Sequence, residues 1–417
     1  MDTLGFAVVA AGIVLFGLIS RRLETSVVTG PILFTAFGLA IGDAGLGIAD
    51  LDVSHSFIHG LAEVTLILVL FSDAARIDLR VVRRDHNLPV RMLVGGMPLI
   101  IAAGTLVGMA LPLGLNVWEA ALLAAILAPT DAALGQSVVT SELVPARIRQ
   151  SLNIESGLND GIALPMVLLF ASLAGAGHGA DGDRNWLLFG MMQIGLGPVA
   201  GIVVGSVSAK LIDRAVKAGW MAVSYEGPAV LGVAFLSFAG AEVIGGNGFI
   251  AAFVAGLVFG NTVRNHCRFL FEFAEAEGEL LVFVTFLMFG SAMLPGVVGH
   301  SSGAILLYGG LSLTAVRMIP IAVSLVGSGV RLPTVGFLGW FGPRGLASIL
   351  FALFVLEEAH FPGAETIEVV VIVTVGLSIL LHGVTAAPAA RWYGSLVRKT
   401  PDCHEMKSVA ELPTRGR

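Results

Sequence analysis

Apolar runs of about 17–25 residues, each long enough to cross a hydrocarbon core about 30 Å thick as a helix, recur from end to end of this chain of 417 residues. Inside a bilayer every backbone N–H and C=O must be satisfied within its own segment, so such runs commit the chain to helices. Composition agrees: 13% of residues are charged, against about 25% in soluble domains. The expected fold is an all-α polytopic membrane protein with no room for a large soluble domain. Thirteen spans are expected, near 4–20, 27–43, 58–75, 89–113, 117–139, 151–174, 186–213, 227–244, 246–261, 274–294, 302–328, 335–357 and 367–388. The N-terminus has no basic n-region and no evident cleavage site, so the first run is read as a retained span. Two cysteines, Cys267 and Cys403, cannot build a disulfide framework.

Basic residues in the loops set the orientation. With the N-terminus outside, 21 of the 24 basic residues fall inside and only Arg184 falls in an outer loop, while Arg317 and Arg344 lie within spans. The outer loops instead hold acids such as Asp43, Asp50, Asp52, Asp181 and Asp183. The chain is therefore predicted N-out and C-in, in the cell (inner) membrane. The tail from Arg398 to Arg417 is short and polar, too small for a regulatory domain.

Thirteen spans divide as six, one and six, which inverts the second half relative to the first, as in many secondary transporters. Spans five and twelve then correspond. Both are interrupted in mid-membrane, one by Pro129 and the other by Gly342-Pro343-Arg344-Gly345. Proline removes a donor and frees an upstream carbonyl, and unwound backbone at that depth survives only where it lines a site. Asp131 lies eight residues from the cytoplasmic end of its span, Asp160 and Arg344 nine from theirs. At about 1.5 Å per residue, all three sit roughly 12–14 Å deep, close to the midplane.

Ionisable groups at that level are costly and mark ion pathways or paired structural charges. On span six, Ser156 and Asp160 share a face, as do Glu155 and Asn159. Thr130, Asp131 and unwound carbonyls face them from span five. Hard oxygen donors suit a small alkali cation, and no Cys or His cluster offers spacing for zinc or copper. A desolvated carboxylate that holds a proton or a cation in turn is an exchange mechanism in itself. The midplane Arg344 needs a partner, and Glu155 and Asn159 are the candidates. Thr130 and Ser156 are equally consistent with bonding a backbone carbonyl one turn back.

The A-P-T-D motif ending at Asp131, E-S-G-L-N-D ending at Asp160, G-P-R-G from Gly342 and G-N-G-F-I-A-A-F-V-A-G-L from Gly246 together resemble the NhaP-type sodium/proton antiporters. That family lies in the cation:proton antiporter superfamily, with the sodium/hydrogen exchangers. The resemblance covers about residues 4–390. It implies an antiporter fold with discontinuous helices 5 and 12, and Asp160 as main cation- and proton-binding carboxylate. Asp131, Thr130 and Ser156 would stand beside Asp160, with Glu155, Asn159, Arg344 and Pro129 as a stabilising network. An Asn-Asp pair at Asn159-Asp160 marks the electroneutral branch. It implies a homodimer within a transmembrane domain over 1–397. Core helices at about 89–174 and 302–388 would work as an elevator against a panel at about 4–75 and 186–294. Transported Na+ (with Li+) and H+ would be the substrates, with no cofactor and no nucleic acid, in the service of pH and sodium homeostasis.

Asp73 departs from the pattern, since relatives often carry Glu there as an extra ligand. Asp is one methylene shorter, so Asp73 is either a ligand or an interfacial charge near Arg76. Arg317 and His382 read as structural; Glu63, Glu119 and Glu242 as interfacial. A K+/H+ antiporter of the same fold is the alternative, because cavity size rather than ligand type separates the two cations. An intramembrane aspartyl protease, which also needs two buried aspartates, is disfavoured by Asn159 where that class has Gly. A channel is disfavoured by the absence of a selectivity filter or ring of sites.

Overall fold

The computed structural model describes residues 3–23, 26, 28–48, 55–80, 87–131, 134–176, 186–263, 280–358, 361–399 and 403–406. Cys267, the start of the tenth expected span, residues 407–417, and the loop charges Asp50, Asp52, Arg83, Arg84, Asp181, Asp183, Arg184, Arg264 and Arg268 lie outside them. Among the described residues the secondary structure is helical, with no strand, as the apolar runs require.

In chain order the helices are α1 (Thr3–Leu23), α2 (Gly30–Ile41), α3 (His55–Arg76) and α4 (Asn87–Ala110), the last with a π-helical stretch at Arg91–Gly96. The fifth expected span is split into α5 (Val117–Ile126) and the short α6 (Gln136–Val139). Long helices α7 (Ala146–Ala176) and α8 (Trp186–Lys217) follow, then α9 (Glu226–Val243), α10 (Gly248–Val263), α11 (Leu280–Val297) and α12 (Gly303–Ser324). The twelfth expected span is split into α13 (Leu332–Trp340) and α14 (Leu346–Glu358), and α15 (Ala364–Arg398) closes the bundle. Helix overlaps each of the thirteen expected spans, and eight helices among the described residues are long and apolar enough to cross a membrane.

Helix α10 packs along both α3 and α8. Its buried Ala251, Ala252 and Ala255 are small residues of the kind that let helix backbones approach without a hydrophobic driving force. A second set of contacts joins α4 to α5, α5 to α7, α12 to α13 and α15, and α14 to α15. The outermost helix, α1, exposes Phe6, Val14, Leu15 and Leu18, the surface a bilayer would cover.

Each broken span has a reason to begin and to stop. Asn116 caps α5 in a reciprocal box: its side chain accepts from the amides of Trp118 and Glu119, while Glu119 accepts from the Asn116 amide at 2.9 Å. Glu119, read from sequence as interfacial, is 2% exposed and also accepts from the Gly363 amide at 3.1 Å, which ties α5 to the turn before α15. Helix α5 ends three residues before Pro129, and α13 ends before Gly342-Pro343, because proline disfavours helical geometry in the residue it follows.

Candidate functional site

The two unwound stretches, residues 127–131 and 341–345, meet in the interior and cap one another. A broken helix leaves carbonyls unsatisfied at its C-terminal end and amides at its N-terminal end. Arg344 of the second stretch donates from Nη1 to the carbonyls of Ala128 (2.6 Å) and Pro129 (3.1 Å), and Ser348 Oγ donates to the Ile126 carbonyl at 2.8 Å. In return, the Asp131 carboxylate accepts from the Leu346 amide at 2.9 Å. A cation thus sits at the carbonyl end of α5 and an anion at the amide end of α14, each with the sign the helix dipole favours. One main-chain bond, Asp131 N–H to Pro343 O at 2.8 Å, joins the stretches directly.

The glycines of G-P-R-G follow from these contacts. A Cβ on Gly342 would collide with the Arg317 guanidinium, and one on Gly345 with the Asp131 carboxylate. Either collision would push the break out of register.

Helix α7 supplies the other wall. Asn159 Nδ2 donates to Thr130 Oγ at 2.6 Å, Thr130 Oγ donates to Ser156 Oγ at 3.3 Å, and Ser156 Oγ donates to the Thr130 carbonyl. Ser156 therefore bonds across to the broken span rather than one turn back along its own helix. Asp160 lies one turn further on, 8% exposed. Thr130, Asp131, Ser156 and Asp160 line one cavity of about 50 Å³, together with Asp73 and Arg76 of α3, Gln136 of α6 and Asn153 of α7. That volume takes a few water molecules, or a small ion with part of its hydration shell. Carboxylates, hydroxyls and unwound carbonyls are all hard donors. Every residue expected at the binding site is thus brought to one place, Asp73 included; Gln136 and Asn153 are additions.

The expected pairing of Arg344 with Glu155 is not formed. Glu155 is bound instead by Arg317 of α12, whose Nη2 lies 3.0 Å from both carboxylate oxygens. The pair is buried, with Arg317 1% and Glu155 3% exposed. Arg317 also donates from Nε to the Gly339 carbonyl at 3.0 Å, so it ties α7 to the last turn of α13. The physical reason for the swap is that Arg344 is engaged by the carbonyls that end α5. Sequence held a signal for this: Arg317 lies eleven residues inside its expected span, within about 3 Å of the depth assigned to Arg344.

Comparison with known proteins accords with this geometry. Residues 8–392 match the sodium/hydrogen exchanger transmembrane family. The chain belongs to that family. Family and fold are those of transporters rather than enzymes. The fold matches the sodium proton antiporter MjNhaP1 from Methanocaldococcus jannaschii at pH 8, with a TM-score of 0.76 at 21% identity over 95% of this chain and 98% of that one. Among curated relatives, the K+/H+ antiporter NhaP of Alkalimonas amylolytica is 26% identical over 94% of this chain and 67% of its own length. An uncharacterized Na+/H+ exchanger of Mycobacterium tuberculosis is 29% identical over 79% and 65%. The chain spans about two thirds of the length of these relatives.

Two further residues hold this family member's second break in place. Trp340 ends α13 with its carbonyl turned to His382 Nε2 at 2.9 Å, and the Arg344 amide donates to Ser378 Oγ at 2.7 Å. Ser378 Oγ and His382 Nδ1 lie 3.2 Å apart on one face of α15. Nδ1 also lies 3.1 Å from the Ser378 carbonyl, so each ring nitrogen faces a carbonyl, and the tautomer sets which of them donates. Groups at both ends of the unwound stretch thus end on one histidine–serine pair. His382→Leu deletes the ring's bonds to the Trp340 carbonyl, which keeps the Gly342 amide, and to Ser378 Oγ, which keeps the Arg344 amide, at about 0.5–1.5 kcal/mol for each bond lost. The purified variant is expected to melt clearly below wild type, with His382→Gln, which can donate and accept, between them. An unchanged melting temperature for His382→Leu would remove the clamp.

Proposed function

We propose that this chain exchanges a monovalent cation for protons across the membrane, with Na+ as its principal cation and Li+ as a second. The observation that carries the reading is the single cavity between two crossed helix breaks, lined by Asp160, Asp131, Asp73, Thr130 and Ser156. Asp160 would carry a proton or a cation in turn, and Asp131, Thr130, Ser156 and Asp73 would complete the oxygen shell. The fold of an antiporter and membership of an exchanger family support it. Potassium is the second reading, favoured by relatives named as K+/H+ antiporters. We further take the protein to be a homodimer in the cell membrane, N-terminus outside and C-terminus in the cytoplasm. The residues around the two breaks would move as a core against the remaining helices, in the service of pH and sodium homeostasis.

Proton flux in proteoliposomes driven by Na+, Li+ and K+ at several pH values tests the exchange and ranks the cations. Absence of flux with all three sinks the proposal. Stoichiometry follows from the same site. Asn159 does not titrate, and Glu155 is held by Arg317, so neither adds a second proton when Asp160 alone exchanges. Transport is then electroneutral, with a rate that is bell-shaped in pH: acid protonates the site against the cation, and alkali starves the return step of protons. An inside-negative potential imposed with a potassium gradient and valinomycin, with Na+ as substrate and a potassium-only control, should leave the Na+-driven flux unchanged. A flux that follows the potential would show that a second group, Asp131 first, cycles as well.

A further inference from the structure

The short turn at Cys403–Met406 sits in a built receptor on the rim that carries Arg147, Arg331 and Arg398. Its Glu405 side chain is fully buried. One carboxylate oxygen accepts from the Arg331 amide at 3.0 Å, from the Arg331 guanidinium at 3.4 Å and from the Thr334 hydroxyl at 2.7 Å. Tyr393 stands behind Thr334, its hydroxyl 2.9 Å from that of Thr334. Arg147 at the start of α7 donates to the His404 carbonyl at 2.7 Å, and Arg331 Nη2 reaches Cys403 Sγ at 3.7 Å. The turn thus bonds to side chains of α7 and α13 directly and is linked to α15 through Thr334 and Tyr393.

The bond to the Arg331 amide gives this contact its meaning. Arg331 is the N-cap residue of α13, and its own side chain makes no capping bond. In the other broken span the N-cap amide, that of Asn116, is taken by Glu119 three residues on. The equivalent position of α13 holds Thr334, which has no carboxylate to offer and donates instead. The missing acceptor arrives from 74 residues away. We propose that Glu405 is a positioning residue that completes the cap of α13 in trans, so that docking of the tail sets the order of the first half of the broken span and of the unwound stretch it leads into.

Burial pushes the Glu405 carboxyl up, but the Arg331 amide and Thr334 hydroxyl outweigh it and hold the group down at about 2. A carboxylate with a depressed folded value contributes stability above its ordinary value of 4.5, and that contribution is lost as pH falls towards 2. The groups facing it are Arg331 and Thr334 on α13, Tyr393 and Arg398 on α15, and Arg147 and Arg149 on α7. Glu142 borders the same cavity, and His404 lies beside it in the turn. The dock is therefore closed throughout the neutral range.

The test uses the full-length purified chain with Cys267→Ser, so that Cys403 is the one thiol left to label. Glu405→Ala should raise the rate of maleimide labelling at Cys403 at least about tenfold and remove hydrogen-exchange protection from the amides of 331–345. Glu405→Gln, which still accepts a hydrogen bond, should fall between. Thr334→Val, which keeps the carboxylate and deletes one donor, should speed labelling in the same direction, and it serves if Glu405→Ala fails to fold. In the wild-type background, protection at 331–345 should be equal at pH 5 and pH 8 once corrected for intrinsic exchange. Unchanged labelling in Glu405→Gln and Thr334→Val overturns the docking. Faster labelling with full protection at 331–345 overturns the cap.

Discussion

Asp160→Asn is expected to bring cation-driven proton flux below about a tenth of wild type, with the protein still folded. The side chain lines the cavity 8% exposed, beside Thr130, Asp131 and Ser156. An amide has nearly the same shape, so packing survives. It lacks the charge that holds a cation in a desolvated site, and it has no proton to release. Asp131→Asn is the informative companion. Its remaining carbonyl oxygen can still accept from the Leu346 amide, so the variant keeps the cap of α14 while losing a negative charge. Flux in proteoliposomes and size-exclusion behaviour together decide the matter. Substantial flux through Asp160→Asn would move the exchanging group elsewhere in the cavity, with Asp73 as the next to test.

The second large effect belongs to Arg317. Removing one member of a buried ion pair strands the other, at a cost of about 3–5 kcal/mol. Arg317→Ala also frees the Gly339 carbonyl and opens space over Gly342. The purified variant should therefore lose most of its thermal margin. Replacing both partners by apolar residues, as in Arg317→Met with Glu155→Leu, should recover much of the loss, because no charge is then left without its counterpart. Melting of Arg317→Met, of Glu155→Leu and of the double variant in one detergent provides the cycle. Equal melting of Arg317→Ala and wild type would mean that the pair contributes nothing. Failure of the double variant to recover would place the effect in the carbonyl contacts of α13 rather than in the charge pair.

Much of the helical layout is legible in the sequence, because bilayer thickness fixes span length and backbone satisfaction forbids anything but helix there. The breaks are legible too, since Pro129 beside Thr130 and Asp131, and Gly342-Pro343 beside Arg344, put a lost amide donor next to polar side chains at mid-depth. The partners across the breaks are not. Two arginines and one glutamate occupy similar depths, and depth alone cannot choose between Arg317 and Arg344. The choice is made by the carbonyls that end α5, which engage Arg344 and leave Glu155 to Arg317. The reason for glycine at 342 and 345 is hidden for the same cause, because the obstructing side chains come from other spans. Glu405 is the extreme case. A polar tail carries no periodicity, and its receptor is assembled from helices that are distant in sequence.

The main-chain bond between Asp131 and Pro343 bears on how such a site can change over generations. A bond made by backbone atoms has no side chain to lose, so every residue except proline at 131 leaves its donor in place. That bond is insulated from most single substitutions, whereas the other contacts across the breaks, from Arg344, Ser348 and Asp131, belong to side chains, as do most of the oxygens that would meet an ion. A lineage can therefore exchange ion-facing groups one codon at a time and still inherit that main-chain tie between the two breaks.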